Sequence, residues 1–213
     1  MITSISLPKD ILFKQTSVQQ NLPVSKLHSE ILDEFMPFIL NEVEKEFQNQ
    51  DDSRTKRNTR EYGYSFFKME NNNFDYASPP LFFQKLGEHI CEAFGHPKVE
   101  FTNIILSVYE SGYYLEPHVD VNDKDRYGDA QFYFGEQVYG LIVEADETGH
   151  LYFVEWHDGL KPPLDLAPVY TVNEEPGSIF CLEGGFRKSP YFHGVSNVSQ
   201  KRISITFRTV VKT

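Results

Sequence analysis

His118 and Asp120 are the residues whose types and spacing first indicate metal chemistry. They lie two positions apart in a segment that we interpret as extended, so both side chains point to one face of a strand. The pair alone is a weak signal, because a chain with seven His produces such pairs by chance. His193 supplies a second imidazole. Two His and one carboxylate can occupy one face of an octahedral Fe(II) ion and leave positions open, as a catalytic metal requires.

The segment from Arg202 to Arg208 alternates strictly between polar and apolar residues, which predicts a strand with two different faces. A half-exposed edge strand would show the same pattern. Two arginines on one face would also suit a dicarboxylate, because guanidinium binds carboxylate through two parallel hydrogen bonds. The candidate ligands for this dicarboxylate are Arg202, Ser204, Thr206 and Arg208, with Tyr109 on an earlier strand beside Asn103, Ile105 and Ser107.

Two amphipathic helices are predicted to support these strands. Apolar residues recur every four positions from Leu27 to Phe47, which predicts a helix over 25–49 with Ser25 as its N-cap and a kink or break at Pro37. A second helix is predicted over 79–94, with Ser78 as its N-cap. We expect the first twenty residues to lie over the domain and residues 51–60 to form a polar loop.

Strand-like runs with turn residues between them follow residue 100. Helices followed by many short strands predict an α+β fold in which an antiparallel sandwich or jelly roll carries the chemistry. The predicted strands cover residues 101–109, 138–145, 150–156, 169–172, 178–182 and 203–211.

Composition excludes several classes of protein. The 213 residues include 40% hydrophobic and 15% aromatic residues, which exclude a disordered chain. Two cysteines, Cys91 and Cys181, exclude a cysteine-rich zinc site and are expected to be reduced. The net charge of -11 disfavours a duplex nucleic acid as partner. Positive charge is concentrated only in residues 53–60, which hold Arg54, Lys56, Arg57 and Arg60.

Residues from about 60 to 210 resemble the AlkB-like branch of the Fe(II)- and 2-oxoglutarate-dependent dioxygenases. Four segments carry the resemblance: EYGYSF at 61–66, SVYESG and EPHVD at 107–112 and 116–120, LEGGFR and HGV at 182–187 and 193–195, and RISITFR at 202–208. They are similar to the family's YGYxF, NxYxxG…PHxD, GxxR…HGV and RxNxTxR elements. Ser107 and Ser204 stand where the family usually has Asn, and residues 123–136 resemble an insertion.

The resemblance implies a double-stranded β-helix, a distorted jelly roll, supported by the N-terminal helices. It divides a single domain, 1–213, into a helical arm and loop at 1–60 and a core at 61–213. His118, Asp120 and His193 would bind Fe(II) and form the catalytic centre. The co-substrate 2-oxoglutarate would be held by Arg202 and Arg208, with Tyr109, Ser204 and Thr206 as hydrogen-bond partners.

The resemblance implies hydroxylation or oxidative demethylation of an N-alkylated substrate with 2-oxoglutarate and O2. The first hypothesis is a nucleobase in single-stranded or flipped nucleic acid, with Arg57 and Arg60 at phosphates and Tyr62 and Tyr64 stacking on the base. The net charge favours an alternative, a peptide or small-molecule hydroxylase or demethylase. A third hypothesis is a catalytically silent binding module of the same fold.

The sequence has no run of apolar residues long enough to span a membrane and no N-terminal signal peptide. We therefore expect a cytoplasmic or nuclear protein without a membrane partner. Its oligomeric state is not predicted.

Overall fold

Strands dominate the part of the chain that the computed structural model describes, which is residues 20–22, 25–51, 55–64, 76–120, 132–158, 162–163, 165–187 and 190–212. Residues 1–19, which we expected to lie over the domain, and most of the insertion-like stretch are outside the described residues. The helices are α1 (Ser29–Val43) and α2 (Leu81–Ala93). The strands are β1 (Gln20–Leu22), β2 (Ser25–Lys26), β3 (Gln48–Asp51), β4 (Thr55–Tyr64), β5 (Tyr76–Ala77), β6 (Asn103–Glu110), β7 (Tyr114–His118), β8 (Phe132–Glu144), β9 (Leu151–Glu155), β10 (Tyr170–Val172), β11 (Ser178–Leu182), β12 (Tyr191–Val195) and β13 (Lys201–Lys212).

The strands form a single continuous sheet that curls on itself. Its order is β1-β10-β9-β12-β7-β4-β6-β13-β8-β11-β2, with β3 and β5 paired to β4. Within the described residues, every pairing is antiparallel except that of β1 with β10. In a flat sheet, β13 and β10 would lie about 29 Å apart. Nevertheless Arg202 on β13 contacts Glu174, which follows β10, at 2.7 Å between Nε and Oε2. This curling confirms the predicted α+β jelly roll.

Both helices pack on the outer face of the curled sheet. The apolar residues of β13, Ile203, Ile205 and Phe207, are buried there in one cluster with Phe35 of α1 and Leu86 of α2. The opposite face of β13 carries the polar residues, as the alternation predicted. The helices therefore stabilise the sheet from outside, and the inner face remains available for chemistry.

The predicted helix boundaries differ from those observed. His28, not Ser25, is the N-cap of α1, and Ser25 pairs with β11 as part of β2. The helix is continuous through Pro37, because Phe35 and Ile39 on either side are buried against the core. It ends at Val43, so the last apolar position of the stripe lies outside it. Pro80, not Ser78, is the N-cap of α2. Neither helix is long and apolar enough to cross a membrane.

The predicted polar loop at residues 51–60 was wrong. Its described residues belong to a hairpin in which β3 pairs with β4, and β4 continues beside β6 and β7. This strand lacks the usual apolar pattern, because its buried positions hold Thr55 and Thr59 where large apolar residues would be expected. β4 also runs across the boundary drawn at residue 60, and the division into arm and core stays a prediction.

Candidate metal centre

The curled sheet brings His118, Asp120 and His193 together. His118 ends β7 and His193 lies in β12, and the two are direct cross-strand partners with ring centroids 4.4 Å apart. Asp120 follows His118 by two residues. Its carboxylate oxygens lie 3.7 Å from His118 Nε2 and 4.0 Å from His193 Nε2. One ligand atom from each residue falls within 4.8 Å of the others, so the group could hold one metal ion.

Local contacts orient the two imidazoles. His118 Nδ1 donates a hydrogen bond to the Glu116 carbonyl oxygen at 3.0 Å, which leaves Nε2 as the acceptor facing Asp120. A metal-binding His usually has its other ring nitrogen fixed in this way. Gly194 allows β12 to approach β7, because a Cβ atom there would lie 2.5 Å from the Leu115 carbonyl oxygen. The glycine beside His193 is therefore required by backbone packing.

Arg208 crosses the inside of the jelly roll to contact Asp120. Its Nη2 lies 3.1 Å and its Nε 3.3 Å from Asp120 Oδ2. Burial alone would raise the pKa of Asp120, but Arg208 and the nearby His118 and His193 together hold that pKa well below its usual value. Asp120 is therefore an ionised, buried carboxylate, which is the form that binds a metal.

The residues predicted to hold the co-substrate lie together on this inner face. Thr206 Oγ1 accepts a hydrogen bond from Arg208 Nη1 at 2.8 Å, and Ser204 Oγ accepts one from Arg202 Nη1 at 2.9 Å. Tyr109 lies beneath Arg202, with the guanidinium carbon 5.4 Å from the ring centroid. Hydroxyls and guanidinium groups in this arrangement suit a bound dicarboxylate.

Glu174 is a buried residue of this face that the sequence did not reveal. It accepts hydrogen bonds from Arg202 Nε and Nη2, both at 2.7 Å. The side chains of Arg202 and Glu174 are 2% and 0% exposed. Burial would lower the pKa of Arg202, but Glu174 raises it, so the guanidinium stays charged. Arg202 was predicted to hold a co-substrate carboxylate, and a carboxylate of the chain itself already binds it.

Two of the predicted substrate-binding residues, Arg60 and Tyr62, lie on the opposite face of the sheet from the metal centre. They pair with Leu106 and Ile104, which belong to the core beneath the helices. Arg60 Nη1 and the Tyr62 hydroxyl donate to Glu42 of α1 at 3.3 and 2.7 Å. Their expected contact with substrate beside the metal does not fit this placement, because both bind α1.

Arg57 and Tyr64 are placed differently from each other. Arg57 lies two residues before Thr59 on β4, so the two side chains share a face, and Thr59 pairs with Ser107 on the metal face. Arg57 Nε donates a hydrogen bond to the Gln50 side-chain oxygen at 3.0 Å. Tyr64 ends β4, where its ring lies 4.7 Å from that of Tyr76. Of the four predicted substrate-binding residues, Arg57 is the one whose strand position faces the metal side.

Comparisons with known proteins agree with this architecture. No protein-family model matches the chain, and no curated protein matches its sequence. OsALKBH1 matches in structure, with a TM-score of 0.57 and 16% identity over 85% of this chain and 93% of that one. A Trichoplax adhaerens prolyl hydroxylase, solved with a hypoxia inducible factor peptide, has a TM-score of 0.52 and 11% identity over 85% and 79%.

An oxidoreductase of the 2OG-Fe(II) oxygenase family from Burkholderia pseudomallei also matches, with a TM-score of 0.52 and 11% identity over 85% of this chain and 80% of that one. The three structures are therefore an ALKBH1 protein, a prolyl hydroxylase and an oxidoreductase of the 2OG-Fe(II) oxygenase family. These likenesses show the fold that the motifs indicated: the chain has the fold of the 2-oxoglutarate- and Fe(II)-dependent oxygenases, with the His-Asp-His group inside it.

Proposed function

We propose that the chain is an Fe(II)- and 2-oxoglutarate-dependent dioxygenase of the AlkB-like branch, which hydroxylates or oxidatively demethylates an N-alkylated substrate. The observation that carries this proposal is the grouping of His118, His193 and the ionised Asp120 carboxylate, whose oxygens lie 3.7 and 4.0 Å from the two Nε2 atoms. Two imidazoles and one carboxylate suit Fe(II) and leave coordination positions open.

The donor set on the inner face fits the co-substrate. Arg208 would hold the end of 2-oxoglutarate nearest the metal, and Tyr109, Ser204 and Arg202 line the way to its distal carboxylate. When bound, Fe(II) and 2-oxoglutarate supply the oxidising chemistry with O2. The protein positions them: Glu116 fixes the His118 ring, Arg208 keeps Asp120 ionised, and burial limits the access of water.

A nucleobase is the first candidate substrate. Its support is the resemblance of the EYGYSF, EPHVD and RISITFR segments to the AlkB-like branch. Arg57 adds a positive side chain on the metal face, where it could bind a phosphate of a single-stranded or flipped substrate.

The placement of the basic residues favours a second candidate, a peptide or small molecule. Arg60 is bound by Glu42, and Lys56 Nζ lies 3.9 Å from an Asp51 oxygen. The basic segment therefore offers a polyanion less positive charge than its sequence suggests. The net charge of -11 points the same way.

The proposed activity is tested by adding Fe(II) and 2-oxoglutarate without O2 and recording the visible charge-transfer band of the chelate. We expect a band in the wild-type protein and none in the His193→Ala variant. His157→Ala is the matched control, because His157 is 67% exposed and pairs with Glu155 away from the triad. A folded wild-type protein without a band would contradict the proposal and favour a silent binding module.

The two substrate classes differ in salt dependence and products. Nucleic-acid binding should weaken steeply with salt and on Arg57→Glu, whereas Lys98→Glu, a charge reversal at an exposed residue paired with Glu88, should have little effect. Demethylation releases formaldehyde, and hydroxylation of a stable carbon adds one oxygen to the product mass. Binding of single-stranded oligonucleotides that does not respond to salt would contradict the nucleobase proposal.

A further inference from the structure

The pair formed by Arg202 and Glu174 neutralises a positive charge that a co-substrate carboxylate was expected to neutralise. Glu174 binds two nitrogens of the guanidinium, and its Oε1 also accepts the Leu151 backbone N–H at 3.1 Å. Ser204 accepts a hydrogen bond from a third nitrogen. Arg202 is thus fully buried with its charge already balanced by the chain.

This balance changes what Arg202 requires from a ligand. Guanidinium has five N–H donors, and the contacts in the described part of the chain use three of those of Arg202. One N–H each on Nη1 and Nη2 remains, so a ligand carboxylate can still bind end-on. Polar sites reject analogues that lack a partner group because a buried polar group is then left unpaired. A ligand without the distal carboxylate leaves no unpaired buried charge at Arg202, so it does not incur this penalty.

We propose that Glu174 sets the co-substrate selectivity of the site. By neutralising Arg202, it allows the chain to accept 2-oxo acids that lack a second carboxylate, in addition to 2-oxoglutarate. The inference rests on the proposed function, since it concerns the distal end of the same co-substrate site.

The matched ligand is 2-oxopentanoate, which has the five-carbon chain of 2-oxoglutarate without the distal carboxylate. The 2-oxo acid ends of the two compounds are identical, so the metal and Arg208 treat them alike. Any difference in affinity therefore reports on Arg202 and its surroundings.

The test is an anaerobic titration of the Fe(II)-loaded protein with each acid, with the dissociation constant read from the charge-transfer band. We expect the wild-type protein to bind 2-oxoglutarate no more than about a hundredfold more tightly than 2-oxopentanoate, against the 10⁴-fold or more, roughly, of a site with an unpaired polar partner. A ratio above about a hundredfold overturns the inference.

The Glu174→Gln variant sharpens the test. Gln keeps the shape of the side chain but removes its negative charge. The charge of Arg202 is then balanced only when the distal carboxylate of the ligand is bound. We expect 2-oxoglutarate to bind about tenfold more tightly in this variant and 2-oxopentanoate to bind unchanged. The control is Glu175→Gln, because the neighbouring Glu175 is 53% exposed and pairs with Lys26. An unchanged ratio of affinities in Glu174→Gln overturns the inference.

A second readout does not need the metal. Saturating 2-oxoglutarate should raise the melting temperature of Glu174→Gln by more than that of the wild type, since the stabilisation by a ligand increases with the logarithm of its affinity. If Glu174→Gln fails to fold, the wild-type ratio decides the question alone. Absence of a band with either acid overturns the proposed function itself, whereas a band with 2-oxoglutarate and strong rejection of 2-oxopentanoate overturns only the role of Glu174.

Discussion

The two ends of the inner face of β13 each hold a buried arginine beside a carboxylate, but the two pairs differ in geometry. At one end, Arg202 and Glu174 form two short contacts of 2.7 Å. At the other end, Arg208 approaches Asp120 at 3.1 to 3.3 Å, and Asp120 also faces two imidazoles.

The difference shows how one strand can carry a structural pair and a chemical one. Glu174 uses both oxygens for Arg202 and one of them also for the Leu151 N–H, so the charge of Arg202 is balanced before any ligand binds. Asp120 is held loosely enough to direct an oxygen at a metal ion while Arg208 keeps it ionised. The Arg202 end is fixed by the chain, and the Arg208 end is completed by what binds there.

The largest expected effect lies at the Arg208 end. Asp120→Ala removes the carboxylate of the triad, so Fe(II) binding and the charge-transfer band should be lost completely. Metal binding is measured by anaerobic titration, and circular dichroism checks the fold. A folded variant that retains the band would show that the two histidines alone hold the metal.

Substitutions at the Arg202 end should lower the free energy of unfolding. Glu174→Ala leaves a buried guanidinium without its partner, and we expect a loss of about 3–5 kcal/mol in the free energy of unfolding, measured in urea. The double variant Arg202→Met, Glu174→Leu should recover most of this loss, because it removes both charges. A double variant no more stable than Glu174→Ala would contradict the assignment of this pair as structural.

Asp146 provides a test by pH dependence of stability at the start of β13, because it binds the residues that lead into that strand. Burial acts to raise its pKa, but the backbone N–H groups of Ser199, Thr148, Gln200 and Gly149 hold that pKa below its usual value. A lowered native pKa means that the stabilisation is complete above the unfolded value of about 4 and is lost as the pH falls below it.

Asp146→Asn should therefore cost about 2 kcal/mol of unfolding free energy at pH 7. The difference from the wild type should shrink as the pH is lowered from 5 towards 3. Urea unfolding across this range measures both quantities, and a difference that does not depend on pH would contradict the assignment.

The smallest expected effect is that of Arg208→Lys. Lysine keeps the positive charge near Asp120 but loses the planar set of donors that reaches Asp120 and Thr206 together. We expect about tenfold weaker binding of 2-oxoglutarate to the Fe(II)-loaded protein. Unfolding in urea should change little, and unchanged 2-oxoglutarate affinity would show that Arg208 acts only as a charge.

The pair of His118 and Asp120 and the polar face of β13 could be predicted because they follow from local spacing. His118 and Asp120 lie two residues apart on an extended segment, and Arg202 to Arg208 alternate, so each pattern fixes a face without knowledge of the rest of the fold. His193 was added because an imidazole completes the ligand set, and the family resemblance supported it; its distance along the chain says nothing about its partner strand.

The Arg202–Glu174 pair and the β3–β4 hairpin could not be predicted in the same way. The pair joins residues 28 positions apart in the chain, across five intervening strands of the sheet order, and forms only because the sheet curls. The hairpin places Arg60 and Tyr62 against Glu42 of α1, a contact that depends on where the helix ends. Both outcomes are decided by tertiary packing.

The direct pairing of His118 with His193 makes the site sensitive to insertions and deletions. The register of β7 against β12 already shifts once between His193 and Val195, next to Pro117, whose nitrogen has no proton to donate. One residue added or removed before His193 within β12 would turn its side chain to the other face. Lineages that descend from this chain should therefore accept substitutions around the triad more readily than any change in the length of these two strands.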